Sequence, residues 1–229
     1  MVEEAEQKHG EAVTASGKVF PDHASRSYGA VILAAGTSQR MGKDKALLDW
    51  HGKTFLTAAI ESLMPFAQMV IVVGGENTES LKTIVWGQGA YLVTNPQPER
   101  GQFSSLRVGL QEVLSRGRDA AIITHVDRPP ASPRTIQALQ VAFGAPGNAG
   151  KWAVIPQYGD QHGHPIVVGR EMIEAFLKAD PTITARDVEH ANQSHIVYLS
   201  IDDPNVVANV NTPEEYAALV STFSPSTPS

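Results

Sequence analysis

The 229-residue sequence contains no cysteine, which excludes disulfides, thiolate catalysis and thiolate-bound zinc. Basic residues are in deficit, with 18 Lys and Arg against 24 Asp and Glu, for a formal charge of −6. Nucleic acid is therefore not an expected partner, because gripping a phosphate backbone needs a basic face. Any smaller anion must be met by positive charge gathered in one place. No apolar run approaches the length of a membrane span, and residues 1–27 lack the apolar centre of a signal peptide. The expectation is a soluble cytoplasmic protein without membrane association.

What is present is an apolar content of 42%, enough in a chain of this length for one sizeable core and one domain. Residues 1–27 are polar, rich in Glu and small side chains, and without periodicity, so they read as a flexible extension. Residues 222–229 read as a flexible tail, which leaves 28–221 as the folded domain. Within it, short β-branched runs alternate with helical patterns. The expected strands are 30–35, 69–73, 90–94, 120–126, 152–156, 165–169, 195–200 and 206–210, and the clearest helices are 54–63, 102–114, 132–143 and 212–220. Such alternation predicts a mostly parallel sheet covered by helices. Ser132 before Pro133, and Thr212-Pro213-Glu214-Glu215, are helix starts with cap, proline and acidic first turn in their favoured order.

In open α/β sheets ligands sit beyond the carboxyl ends of the strands, where backbone N–H groups of Gly-rich turns can face a phosphate. The first strand runs into such a turn, VILAAGTSQRMGKDK over 31–45. A Walker A loop needs four residues between its glycines and then Lys-Ser/Thr, whereas five separate Gly36 from Gly42 and Asp44 follows Lys43. The dinucleotide fingerprint G-x-G-x-x-G is absent as well, so neither a P-loop NTPase nor a dinucleotide site is indicated.

The pattern L-A-A-G-x-S-x-R-M-G-x-x-K after a strand resembles the MobA-like nucleotidyltransferases, most closely the molybdenum-cofactor cytidylyl- and guanylyltransferase group. Further matches follow in family order: NPQPERGQFSSLRVGL (95–110), HVDRPP (125–130), QYGDQHGHPIVV (157–168) and NVNTPEEY (209–216). The resemblance implies a single-domain, Rossmann-like, three-layer α/β/α fold with a mostly parallel sheet, spanning roughly 29–220. It implies a magnesium-dependent enzyme that joins a nucleoside triphosphate, CTP by preference, to a phosphorylated small molecule such as molybdopterin. Pyrophosphate would leave, and the product would pass to a molybdoenzyme or its chaperone.

The roles implied for individual residues follow from that chemistry. Leu33, Ala34, Ala35 and Gly36 would carry base and ribose along their backbone, and the amides from Ser38 to Gly42 would face the triphosphate. Arg40 and Lys45 would supply fixed positive charge to the transition state and leaving group, with Lys43 a solvated neighbour. Asn95, Gly101 and Ser105 would stand by the nucleotide, and Ser104 and His164 by the acceptor. Asp127, with Asn209 and Asn211, would hold magnesium, an ion that keeps several waters and needs few protein oxygens. Cytidylyl members usually carry Asp in that closing turn, and guanylyl members Asn. Against this, the Gly163-His164-Pro165 segment and Ala35, where guanylyl members have an extra Gly, point to cytosine. Guanylyl transfer, or transfer to a sugar phosphate, is the alternative within the class. A non-catalytic nucleotide-binding protein would be expected to have lost Arg40, Lys45 or Asp127, and all three are present. His162 and His164 lie two apart, but no third zinc ligand is evident, and no G-x-S-x-G elbow makes Ser104 or Ser105 a nucleophile.

Overall fold

A computed structural model describes residues 26–36 and 41–222. The extension expected at 1–27 and the tail expected at 222–229 therefore fall almost entirely outside the described residues. Seven strands lie side by side in one sheet: β1 (Tyr28–Leu33), β4 (Met69–Gly74), β5 (Tyr91–Thr94), β6 (Ala120–His125), β7 (Ala153–Tyr158), β9 (Ile166–Gly169) and β10 (Ile196–Ser200). Their order is β10-β7-β9-β6-β1-β4-β5, and the short β8 (Gln161–His162) hangs on β7. All but β9 and β8 point the same way. β9 runs against both neighbours because β7 turns back through Gly159-Asp160 into β8, and the chain then enters the gap between β6 and β7.

The sheet is apolar on both faces, which is why its central strands read as unbroken hydrophobic runs. In β1, Ala30 and Ile32 join one core while Val31 and Leu33 join the other. Helices α1 (Phe55–Leu63), α2 (Thr78–Gly87) and α4 (Pro133–Gly144) cover the first face through Leu56, Ile60, Leu81, Val85, Ile136 and Leu139. On the other face lie α3 (Gln102–Ser115), α5 (Arg170–Lys178) and α6 (Ala185–Ala191), through Leu106, Leu110, Ile173, Phe176 and Val188. The three-layer α/β/α arrangement with a mostly parallel sheet is thus the observed fold. No helix among the described residues is long and apolar enough to cross a membrane.

One expected strand does not form. Residues 206–210, VVANV, are β-branched, yet Pro204–Val206 is a 3-10 turn capped by Asp203, and an irregular segment follows it. Its backbone is engaged elsewhere: Val206 O accepts from His164 N at 2.8 Å, and Val210 N donates to Asp127 O at 2.8 Å. The Val206 and Ala208 carbonyls also face the Arg128 guanidinium. The segment laces the strand ends together instead of extending the sheet.

A third, small core forms beside the sheet. The hairpin of β2 (Asp49–Trp50) and β3 (Lys53–Thr54) and the helix α7 (Pro213–Thr222) meet at Leu48, Phe55 and Val210. Tyr216 Oη donates to Asp49 O at 2.8 Å, and its ring lies 6.2 Å from that of Phe55. This cluster fixes both the turn before β2 and the turn before α7.

Candidate active site

The ends of β1, β4 and β6 form one ledge, since the ladder continues past the strands through Ala34 N to Val73 O and Val126 N to Leu33 O. From this ledge the loops are held apart and in register by one side chain. Asn77 Nδ2 donates to Ala34 O at 2.9 Å and to Asp44 Oδ2 at 2.7 Å, while its Oδ1 accepts from Gly75 N at 3.1 Å. Asp44 uses its other oxygen to cap the 3-10 turn Lys45–Leu47, accepting from Ala46 N at 2.9 Å. Lys45 is thereby aimed back across the ledge.

Its ammonium meets two oxygens from distant parts of the chain, Asp127 Oδ2 at 3.1 Å and Asn211 Oδ1 at 3.0 Å. Each partner is anchored. Asp127 stands just past β6 and its carbonyl accepts from Val210 N. Asn211 precedes α7, where Glu215 Oε2 accepts from Asn211 N at 2.6 Å and from Thr212 N at 3.2 Å while Thr212 Oγ1 accepts from Glu215 N, a reciprocal cap. Lys45 and Asp127 are 15% and 27% exposed, so the pair is screened from water yet open to a ligand.

The remaining expected residues divide into three groups. Leu33, Gly101 and His164 line a cleft of about 980 Å³ that runs from the end of β1 over Ile123, Ile155 and Ile166 to α6. Asn95, Ser104 and Ser105 are engaged with one another: Asn95 Nδ2 donates to Ser104 Oγ at 2.8 Å and to Ser105 Oγ at 2.9 Å. Asn95 is buried and its backbone N donates to Gly74 O, so this trio pins the start of α3 to the sheet. Gly101 makes that start possible, with φ 85° and ψ 179°, a backbone region closed to side chains. Ala34 and Ala35 continue β1, and Gly36 and Gly42 flank residues 37–40. Ser38 and Arg40 lie outside the described residues. Lys43 is exposed, as expected of a solvated neighbour. Asn209 is exposed too and makes no hydrogen bond among the described residues, so of the two asparagines only Asn211 reaches Lys45.

Around His164 the packing is unusually close. A β-carbon on Gly163 would lie 2.2 Å from Val206 O, so only glycine lets the two backbones cross there. The His164 ring sits edge-on to His125 at 4.3 Å between centroids, and Gln102 Nε2 hydrogen-bonds His125 Nδ1. Burial, reinforced by Arg128 and opposed by Asp127, lowers the His125 pKa to about 4. His164 is pushed well below its ordinary value by burial, His125 and Arg128. Both rings are therefore neutral at physiological pH and present uncharged surface to the cleft. His162 lines another part of the cleft, stacked on Tyr198 at 4.1 Å. Among the described residues no three His, Asp or Glu side chains converge on a metal site.

Sequence reasoning did not single out Asn77, Asp44, His125 or the cleft wall contributed by 181–189. Asn77 lies in GGEN, a Gly-rich turn at the end of a central parallel strand, and that position was the available signal. Nothing in ARDVEHA marks Glu189 as a cleft residue.

In comparisons with known proteins, residues 30–196 match the model of the MobA-like NTP transferase domain. The molybdenum cofactor cytidylyltransferase of Escherichia coli strain K12 is 23% identical over 187 residues, which cover 81% of this chain and 92% of that protein. The molybdenum cofactor guanylyltransferase of Xanthomonas euvesicatoria pv. vesicatoria strain 85-10 is 27% identical over 198 residues, covering 85% and 95%. Among solved structures, Rv0371c from Mycobacterium tuberculosis H37Rv superposes with a TM-score of 0.74 at 24% identity, over 86% of this chain and 98% of that one. That likeness bears on the fold alone.

Proposed function

The chain belongs to the MobA-like NTP transferase family, and from that premise we propose that this nucleotidyltransferase moves CMP from CTP to the phosphate of molybdopterin, with magnesium present and pyrophosphate released. The observation that carries the proposal is the meeting of Lys45 with Asp127 and Asn211 at the strand ends, beside a cleft large enough for an organic acceptor. The acceptor phosphate is already an anion, so its attack on the α-phosphorus needs no general base. The protein has to hold two highly charged reactants in line and oppose the charge that gathers on the leaving pyrophosphate. Lys45 suits this task because its charge is positioned before any reaction, by the Asp44 cap beneath it and the two oxygens around it. Arg40 takes the same task by resemblance.

The donor set also fits magnesium. Asp127 and Asn211 direct one carboxylate and one amide oxygen to a single cationic point, and hard oxygens of this kind, few in number, are what the ion takes alongside phosphate and water. When bound there, magnesium would act as a Lewis acid on the triphosphate oxygens. The neutral His125–His164 pair and the apolar strand residues of the cleft suit the ring portion of the acceptor. The location implied is the cytoplasm, and the product would be handed to a molybdoenzyme or its chaperone.

The preference for CTP is supported by Ala35. A β-carbon placed on Gly75 would be 3.2 Å from Ala35 Cβ and 3.0 Å from Pro98 Cβ, so the gap between Ala35 and Pro98 is one glycine wide. A glycine in place of Ala35 would widen it for a purine. Asn211 favours a second reading, guanylyl transfer, because the guanylyl members have Asn in the closing turn. Calorimetry with CTP and GTP in magnesium separates the two. Binding of CTP at least tenfold tighter than GTP is expected; the reverse order would overturn the base assignment, and no binding of either would overturn the transferase proposal.

A further inference from the structure

The cleft extends well beyond the Lys45 centre. Its far part is built by α6 and by β8 with the turn before it, on the side of the sheet away from β1. A carboxyl group faces this part of the cleft from Glu189. It is half-buried and makes no hydrogen bond or ion pair among the described residues. Burial raises its pKa to about 7 despite the pull of Arg186, so the group is desolvated without a fixed cation. Beside it stands a flat surface: His162 lines the cleft and is stacked on Tyr198 with the rings 11° from parallel. Tyr198 lies within electrostatic range of Glu189.

A carboxylate with both oxygens free matches two parallel N–H donors on one planar edge, and stacked rings match a planar ligand face. We propose that Glu189 recognises the ring end of the acceptor, a fused heterocycle whose pyrimidine ring presents an N–H and an adjacent exocyclic NH2, as a 2-amino-4-oxopteridine does. This inference rests on the proposed transfer to molybdopterin and extends it. The acceptor's phosphate reaches the Lys45 centre while its ring system is read at α6. Above pH 7, where it is ionised, Glu189 then selects against rings carrying a carbonyl in place of the amino group, because that oxygen would face a carboxylate with no proton between them.

Titration of the full chain tests this with two probes, 6-hydroxymethylpterin and 6-hydroxymethyllumazine, the latter having a carbonyl for the amino group. The wild-type protein binds the pterin at least tenfold tighter than the lumazine. Glu189→Gln keeps the side-chain size, removes the burden of burying a charge and weakens pterin binding at least tenfold, while CTP binding, measured on the same samples, stays within twofold. Pterin binding within twofold of wild type in Glu189→Gln, or equal binding of the two probes by the wild type, overturns the inference. The two proposals fail separately. Pterin binding that needs Glu189 in a protein with no affinity for CTP upholds this inference and overturns the transferase proposal. Nucleotidyl transfer to molybdopterin with pterin binding indifferent to Glu189 does the opposite.

Discussion

Replacing Lys45 by alanine separates what this side chain does for the fold from what it does for the reaction. At 3.1 Å the bare attraction between Lys45 and Asp127 is about 5 kcal/mol at an effective dielectric constant near 20, and desolvation of both groups offsets most of it. With exposures of 15% and 27% the pair lies between a surface bridge and a buried one, so the net loss on truncation is about 1–2 kcal/mol. For a domain of this size that lowers Tm by roughly 2–8 °C, which leaves the protein folded at assay temperature. The effect on turnover is larger, because a pre-positioned charge acting on a developing anion is worth about 10²–10³ in kcat. Thermal melts and steady-state kinetics on the same preparation read both numbers. A fall in kcat of less than tenfold, with the Tm change as stated, would refute the assignment of Lys45 to the leaving group. A protein that no longer folds would show that Lys45 is chiefly a structural link between β6 and α7.

Other consequences can be checked in the same way. Ala35→Gly widens the gap opposite Pro98 and should narrow the CTP-over-GTP ratio of kcat/KM at least fivefold; an unchanged ratio would remove Ala35 from base selection. Gly163→Ala drives a β-carbon into Val206 O and should cost about 3 kcal/mol in urea denaturation, whereas a loss under 1 kcal/mol would mean the crossing relaxes freely. Acid stability has a definite sign. His125 and His164 have depressed pKa values in the folded state, so below pH 6.5, and for His125 down to about 4, the unfolded chain binds protons that the native one refuses, and each histidine lowers stability on acidification. Glu189 has the opposite linkage: raised to about 7, it favours the folded state most below the ordinary carboxyl range, and its contribution is lost as pH rises through 7. Two protons against one leave a net fall that steepens from pH 6.5 to about 1.4 kcal/mol per pH unit near pH 5. Glu189→Gln should steepen that fall, and a flat or rising urea midpoint on acidification would contradict the assignment.

The parts of the fold legible in the sequence are those where one local cause decides. The strands β1, β4 and β6 are apolar on both faces, and Ser132 and Thr212 cap helices whatever else surrounds them. Lys45 and Asp127 could be named because the family resemblance singles out the third position after Gly42 and the Asp that follows the strand ending at His125. Long-range competition decided the rest. VVANV has the composition of a strand, but its carbonyls and amides are taken by His164, Asp127 and Arg128, partners that lie 42 or more positions away in the chain. The reversed direction of β9 depends on the hairpin before it, and Asn77 acquires meaning only when Ala34, Asp44 and Gly75 are folded around it. Asn95, Ser104 and Ser105, named for a place beside the ligand, also hydrogen-bond one another, a pairing that spacing does not disclose.

Transfer of a cytidylyl group to a phosphorylated acceptor is the activity proposed for the Lys45–Asp127–Asn211 centre. Pyrophosphate release, followed for each of the four NTPs with magnesium, with and without molybdopterin, measures it most directly. Release that requires both CTP and molybdopterin and disappears in Asp127→Ala is expected. Release with CTP that is indifferent to the acceptor or persists in Asp127→Ala, or no release with any NTP, would contradict it.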